Sequence, residues 1–497
     1  MTQADPLVPA AGAGDPLAAL DSPTAGGRVI RGGVLRIASY VVGVGLGIGS
    51  AALMTRHLGV EDFGKYVIVT SLIAMVAGLS EAGVANIAAR EFATREPSER
   101  NKLIANVLGI RLAVACLGVV AAAGFAVLAD YDRAMTLGVL LAGVGLVLGT
   151  AQQTYAIPIG VALRFGWLSA LDLLRQVAFV ALVVVLVFAD AGLLPFLAAT
   201  IPASGVALAL AVPLVRGTAP LMPRFDRAEW LRISRLVGVY AAAAAAGTIY
   251  VSAVVVTTSL VGTEDQSGYL GAAFRVFSVL VAIPILLVSS AFPVLARAAS
   301  TDRERLQYVI QRLLDIALIA GTWVGLSTVL GADVAIEIVA GDDFQPAVPV
   351  LQIQGIALLA SFLAITGAFA LVSLHRHVAL LVGNVVALVG SIVLTAVLVE
   401  SSGAKGAAVA TLVGEAGLVG LYAIALFGSR AARYDLTLVP RVAAAGLLAF
   451  ALVFTPLDRV PLLVVSTVVY WGALYLLRGI PPEVVAALRR RGPNPQP

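Results

Sequence analysis

The chain consists of apolar runs of about 20 residues separated by short, arginine-bearing connections, and this pattern recurs fourteen times along its 497 residues. A helix of about 20 residues is long enough to cross the hydrocarbon of a bilayer. Within hydrocarbon every backbone N–H and C=O must be satisfied internally, which leaves only helices and closed barrels. Barrel strands alternate apolar and polar residues over about ten positions, and these runs are continuous. The sequence therefore predicts an all-α integral membrane protein. Composition agrees: 60% of residues are hydrophobic and 12% charged, against about 25% charged in soluble proteins.

The spans fall near 34–55, 66–87, 104–128, 135–157, 167–188, 192–214, 236–260, 269–294, 310–330, 348–373, 378–399, 404–427, 438–456 and 460–478. Orientation follows from the basic residues in short loops. One side carries Arg28, Arg31, Arg90, Arg95, Arg100, Lys102, Arg164, Arg216, Arg224, Arg227, Arg232, Arg235, Arg297, Arg303, Arg305, Arg376, Arg430, Arg433 and Arg489 to Arg491. The other has only Arg56, Lys65, Arg133, Lys405 and Arg459. An even span count with both termini cytoplasmic is expected, in the cytoplasmic (inner) membrane. The basic residues are spread between spans and form no interleaved stripe, which argues against nucleic acid. No loop is long enough to hold a soluble catalytic domain, so a transporter is expected rather than an enzyme. The lone Cys116 allows no internal disulfide.

An internal repeat organises the chain. LGVEDFGKY at 58–66 and VGTEDQSGY at 261–269 share Gly59/Gly262, Glu61/Glu264, Asp62/Asp265 and Tyr66/Tyr269 at an offset of 203 residues. Six crossings restore direction, so the halves are parallel repeats, an arrangement transporters use with the substrate site between them. The expected organisation is a disordered tail at 1–30, two pseudo-symmetric six-helix lobes at 31–229 and 230–428, and two accessory helices with a basic tail at 429–497.

RHLGVEDFGKY at 56–66 followed by SEAGVANIAAREFA at 80–93 resembles the amino-terminal signature of bacterial oligosaccharide flippases, members of the exporter superfamily that also holds the multidrug and toxin extrusion transporters. Residues 268–297, with Pro284 and Pro293, AGDDFQ at 340–345 and GAKGAAVATLVGE at 403–415 are similar to that family's later motifs. The resemblance covers roughly 30–430. It implies two six-helix lobes, alternating access, and a substrate made of an oligosaccharide on a polyprenyl pyrophosphate. It also implies partners in the bilayer, a polysaccharide polymerase and glycosyltransferases.

An anionic head crossing a low-dielectric core calls for arginines, whose guanidinium stays charged and binds phosphate oxygens bidentately. Charged residues inside spans usually face the interior or a wet cavity. Arg111, Arg275, Arg175 and Arg36 are the candidates for the pyrophosphate. Arg36 equally fits snorkelling to the interface, and Arg175 equally fits an intrahelical pair with Asp172 three residues earlier. Glu415, Asp315, Glu81 and Asp172 are the candidate ion-coupling or gating carboxylates. Glu81 reads either as an interfacial group or as an inner-gate partner of Arg36. Gln152, Gln153, Tyr155, Gln352, Gln354 and Asn384 suit sugar hydroxyls or interhelical hydrogen bonds. Pro284 reads as a hinge or a static kink. His375 and His377 lack a third ligand, so no metal is expected. No cofactor is expected, and no phosphate-cradling loop for ATP is present.

The expected function is a flippase for lipid-linked oligosaccharide units working through an arginine-lined cavity. The rivals are a peptidoglycan-precursor flippase, a multidrug or small-solute exporter of the same fold, and a membrane glycan polymerase or ligase.

Overall fold

The computed structural model of the protein describes residues 25–480 apart from 82, 217–219, 221, 302, 429–434 and 457. The expected tail as far as residue 24, Arg430, Arg433 and Arg489 to Arg491 lie outside the described residues. The elements are α1 (Ala25–Glu81), α2 (Val84–Thr94), α3 (Pro97–Leu128), α4 (Arg133–Val161), α5 (Phe165–Phe188), α6 (Leu193–Ala198), α7 (Thr200–Val215) and α8 (Arg227–Val261). They continue with α9 (Glu264–Thr301), α10 (Arg303–Val339), α11 (Val348–Ser373), α12 (His377–Ser402), α13 (Ala404–Phe427), α14 (Val439–Phe450) and α15 (Arg459–Leu476). Helix α1 begins at Ala25, inside the segment expected to be a disordered tail.

Among the described residues, 13 helical segments are long and apolar enough to cross a membrane. The first, Ala38–Glu81, has 44 residues, about 66 Å of helix and twice the hydrocarbon thickness. It holds two crossings joined at Gly59, whose φ of 72° is the left-handed conformation that glycine adopts without steric cost. The first arm runs alongside α5, with Leu35 at Gly166, Gly47 at Gln176 and Met54 clustered with Val183. The second runs against α3 in reverse, with Val76 on Gly118 and the Ser80 hydroxyl on the Arg111 carbonyl. Among the described residues the fold is thus an all-α bundle, and the 13 segments hold fourteen crossings once the first is counted as two. The second crossing ends earlier than its apolar run predicts, because Gly83 at φ 71° separates it from the amphipathic helix α2. The fifth crossing is uninterrupted despite Asp172 and Arg175.

Helices α1 and α3 to α7 pack together, as do α8 to α13, and α1 meets α8 and α9 across the middle. The hairpin α14–α15 rests on α10 through the Tyr470 hydroxyl on the Ile319 carbonyl at 2.9 Å, the Trp323–Trp471 contact and Arg459–Asp333 at 2.5 Å. The connection into α8 is strapped to α3: the Arg224 N–H donates to the Ala105 carbonyl, the Asp226 N–H to Asn106 Oδ1, and Lys102 pairs with Asp226 at 3.3 Å. Asp226 also caps α8. The Glu229 N–H, Lys102 and the Ala228 N–H hold its carboxyl below the usual carboxylate range. Its stabilising contribution is therefore present at neutral pH and is lost as the pH falls through that lowered value.

The two copies of the repeat meet at the end of the bundle opposite the arginine-rich loops. A Cβ on Gly64 would lie 2.2 Å from the Glu264 carbonyl oxygen, and one on Gly268 would lie 2.4 Å from that of Val60. Lys65 bridges Glu61 at 2.8 Å, Glu264 at 3.3 Å and Asp132 at 3.6 Å, so it touches both halves. Thr55 donates to the Val339 carbonyl at 2.8 Å, and Phe63 packs edge-on against Phe344. Backbone contacts this close admit no side chain. In a Cys116→Ala background, Gly64→Val is expected to open this seal, so that a cysteine introduced at Ser252 becomes reactive to an impermeant thiol reagent added from that side. Unchanged protection of that cysteine would contradict the seal.

Candidate functional site

Below the seal lies a cavity of about 1290 Å³ walled by α8, α9, α11, α12 and α13 of the second half, with Ile87 and Arg90 of α2 reaching it from the first half, and it opens toward the arginine-rich side. One face of α9 lines it, with Phe274, Phe277, Ser278, Val281 and Ile285 recurring at helical three- and four-residue steps. A second pocket of about 310 Å³ shares Val251, Phe274 and Ser278 with it and continues toward the seal. The two together form a single cleft, closed at one end and open at the other.

The mouth is cationic. Arg90 on α2 and Arg235 on α8 stand there, with His375 and His377 in the turn between α11 and α12 and Tyr240 stacked edge-on against His377. Arg90 is placed by the break at Gly83, whose missing side chain makes room for the Tyr240 ring. Farther in, Tyr250, Phe277, Phe292 and Phe369 make the walls aromatic.

Glu415 is the one carboxylate lining the cavity, and it is 8% exposed. The Tyr250 hydroxyl donates to it at 3.3 Å, made possible by the bare Cα of Gly414 against the Tyr250 ring. Next to it, Tyr422 donates to Asn384 Oδ1 at 2.6 Å, and Asn384 donates to the Ala243 carbonyl at 2.8 Å. These side chains come from α8, α12 and α13, so the polar cluster ties three helices together at the cavity wall. No ion pair to Glu415 exists among the described residues.

The structure separates the arginines that their depth in the spans groups together. Arg275 lines the inner pocket and reaches the Gly47 carbonyl at 3.4 Å. Arg111 lies elsewhere, 1% exposed inside the first lobe. It pairs with Glu81 and donates to Thr154 Oγ1 and Gln153 Oε1 at 3.2 Å each. Glu81 therefore pairs with Arg111 and not with Arg36. Arg175, Asp172 and Arg36 interact electrostatically around α5, away from the cavity. Asp315 is held by Gln311 at 2.9 Å and Arg312 at 3.2 Å beneath the α14–α15 hairpin. Helix α9 continues through Pro284 and Pro293 to Thr301 without a break, so Pro293 does not end it. Of the amide candidates, Asn384 lines the cavity, whereas Gln153 serves Arg111.

Arg90 and Arg235, the cations of the mouth, were visible in the sequence only as loop charges. The signal that distinguishes Arg90 is the glycine at 83 followed by an amphipathic eleven-residue helix.

Comparison with known proteins agrees with this architecture. A lipid II flippase, MurJ, in an inward closed conformation superposes with a TM-score of 0.75 at 12% identity, over 89% of this chain and 99% of that one. An inward-facing multidrug resistance MATE family transporter of the MOP superfamily gives 0.62 at 13% identity, over 80% and 97%. The Vibrio cholerae MATE transporter VcmN in its bent form gives 0.53 at 15% identity, over 84% and 98%. At these identities the likeness is one of fold. No curated protein matches the sequence. The sequence profile described as polysaccharide biosynthesis protein matches residues 29–299, more than half of the chain. The protein is a multi-pass helical membrane protein, and it belongs to the polysaccharide biosynthesis protein family.

Proposed function

We propose that the protein flips a polyprenyl-pyrophosphate-linked glycan across the cytoplasmic membrane by alternating access. The observation that carries this reading is the cleft walled by the second half, bordered by α2 at its cationic mouth, continued by the inner pocket against α1 and sealed at its far end. A pyrophosphate cannot enter hydrocarbon unaided, since the idealised cost of moving one small ion into that medium is of order 20 kcal/mol. Arg90 and Arg235 provide fixed positive charge at the head-group level, where the lipid-borne phosphates arrive. The aromatic walls and the hydroxyls of Ser278, Ser361 and Tyr422 suit a sugar chain, while the lipid tail stays in the bilayer. Arg275 stands at the far end of the same path. The arginine-rich side is then cytoplasmic, with both termini on it. Glycosyltransferases supply the lipid-linked unit there, and a polymerase consumes it on the opposite face.

Two glycan classes share this chemistry. Family membership favours a polysaccharide repeat unit, whereas the extent of the match to a lipid II flippase favours a peptidoglycan precursor. A depletion strain distinguishes them by which lipid-linked intermediate accumulates. A multidrug exporter is less well supported, because the mouth repels organic cations.

Glu415 is the carboxylate placed to couple transport to an ion. It has no cationic partner and faces the cavity, the position of a proton or cation carrier in membrane proteins. Glu415→Gln is expected to slow gradient-driven flipping by tenfold or more (about 1.4 kcal/mol) at unchanged protein level. An undiminished rate with the same response to the gradient would remove Glu415 from coupling.

The two kinds of arginine are expected to separate in one experiment. Arg90→Ala with Arg235→Ala should abolish surface glycan in complementation while the protein accumulates normally. Arg111→Ala should instead lower the melting temperature and the protein level, since it empties a site 1% exposed and removes the donor to Thr154 and Gln153. Full complementation by the Arg90/Arg235 double variant would contradict the cationic mouth.

A further inference from the structure

The segment that joins the two lobes carries a pocket that transport does not use. It has a volume of about 360 Å³ and is lined by Phe225, Arg227, Trp230, Leu231 and Ser234. Positions 227, 230, 231 and 234 follow the three- and four-residue steps of one helical face at the start of α8. The apolar crossing begins at Gly238, one turn beyond Ser234. The pocket therefore lies just on the arginine-rich side of the hydrocarbon edge, the level at which tryptophans and basic residues gather in membrane proteins.

Its accessible polar side chains, Arg227 and Ser234, can both donate, and Trp230 forms its aromatic wall. The Trp230 ring is fixed from one side by Gly109 of α3, 3.3 Å from where a Cβ would stand, and from the other by Phe225 at 5.4 Å between centroids. The Arg227 guanidinium and the Ser234 hydroxyl make no hydrogen bond or ion pair among the described residues. The nearby acids are engaged elsewhere: Asp226 with Lys102, and Glu229 with Arg95 at 2.7 Å and Arg232 at 3.2 Å. Beside these donors stand exposed apolar groups, Phe225 at 68% and Leu231 at 47% exposure, with Met222 at 80% on the same segment.

We propose that this pocket binds the head group of an anionic glycerophospholipid from the leaflet on the arginine-rich side. Arg227 and Ser234, both exposed, would donate to the phosphate, and Phe225 and Leu231 would lie along the upper acyl chain. The guanidinium has no counterion among the described residues, and a phosphodiester supplies one. The apolar walls select a lipid over a free anion, and the guanidinium selects a net negative head group over a zwitterionic one. The site sits at the base of α8, the helix linking the lobes, which is strapped to α2 and α3 by Arg95–Glu229, Arg232–Glu91 at 2.8 Å and Lys102–Asp226. A lipid held there anchors that base in the plane of the membrane.

The test is native mass spectrometry of the full chain released from detergent micelles containing phosphatidylglycerol or phosphatidylcholine. It reads lipid retention without any transport assay, so its outcome is independent of the flippase reading. The wild type is expected to retain one phosphatidylglycerol in preference to phosphatidylcholine. Arg227→Ala with Ser234→Ala should weaken that retention about tenfold or more, the effect of losing charge-assisted hydrogen bonds. Leu231→Glu, which places a like charge beside the phosphate, should do the same at an unchanged melting temperature. Equal phosphatidylglycerol retention by the wild type and both variants would overturn the proposal. So would equal retention of the two lipids, or displacement of the bound lipid by millimolar inorganic phosphate.

Discussion

A charge inside hydrocarbon has to be paired, wetted or discharged, and that requirement sorts the polar side chains of this protein. Arg111 is paired, with Glu81 as its counterion and Thr154 and Gln153 filling two more of its donor positions. Arg90 and Arg235 are wetted, because they stand at the open mouth of the cleft. Glu415 has no cation among the described residues, only the Tyr250 hydroxyl and the cavity it lines. A carboxyl held this way has no structural cation to serve, which is why coupling is assigned to it and not to Glu81 or Asp315. Those two are already committed to arginine partners.

The same economy shapes the ends of the cleft. The seal is made of backbone approaching backbone at Gly64 and Gly268, reinforced by Lys65 among three carboxylates. Behind that backbone contact, Phe63 packs on Phe344 in a buried apolar cluster that joins the two halves, with Val67 against it on Gly271. The ion pairs, exposed to solvent, add about 0–1 kcal/mol each, so the apolar contact is the larger part of what opening must separate. The open end is bounded by helices whose bases are strapped by salt bridges to the first lobe, so α8 belongs to that lobe at its base and packs on α12 along its length.

Much of this was legible in the sequence, and the limits have physical causes. The crossings at 348–373 and 404–427 coincide with helices α11 and α13, because long apolar runs leave the backbone no alternative. The repeated Glu-Asp-x-x-x-Tyr turns were legible as equivalents, although their packing against each other was not. Position along a span gives depth but not direction around the helix. Arg111 and Arg275 lie about two turns deep alike, yet one points into its own lobe and the other into the cleft. The counterion of Arg111 comes from α1 and its other partners from α4, elements distant in sequence. Arg90 and Arg235 were legible only as topology signals, since the helix break at Gly83 that turns Arg90 toward the mouth is a backbone property of a single glycine.

On this account a lipid-linked glycan crosses through the cleft only when the sealed end opens. Glu61 and Glu264 both contact Lys65 across that seal, so Glu61→Cys with Glu264→Cys in a Cys116→Ala background allows it to be locked by a short thiol crosslinker. In proteoliposomes carrying a polyprenyl-pyrophosphate glycan, the locked protein should not flip the lipid, and cleaving the crosslink should restore the rate. Flipping at the same rate before and after cleavage would contradict alternating access through this cleft.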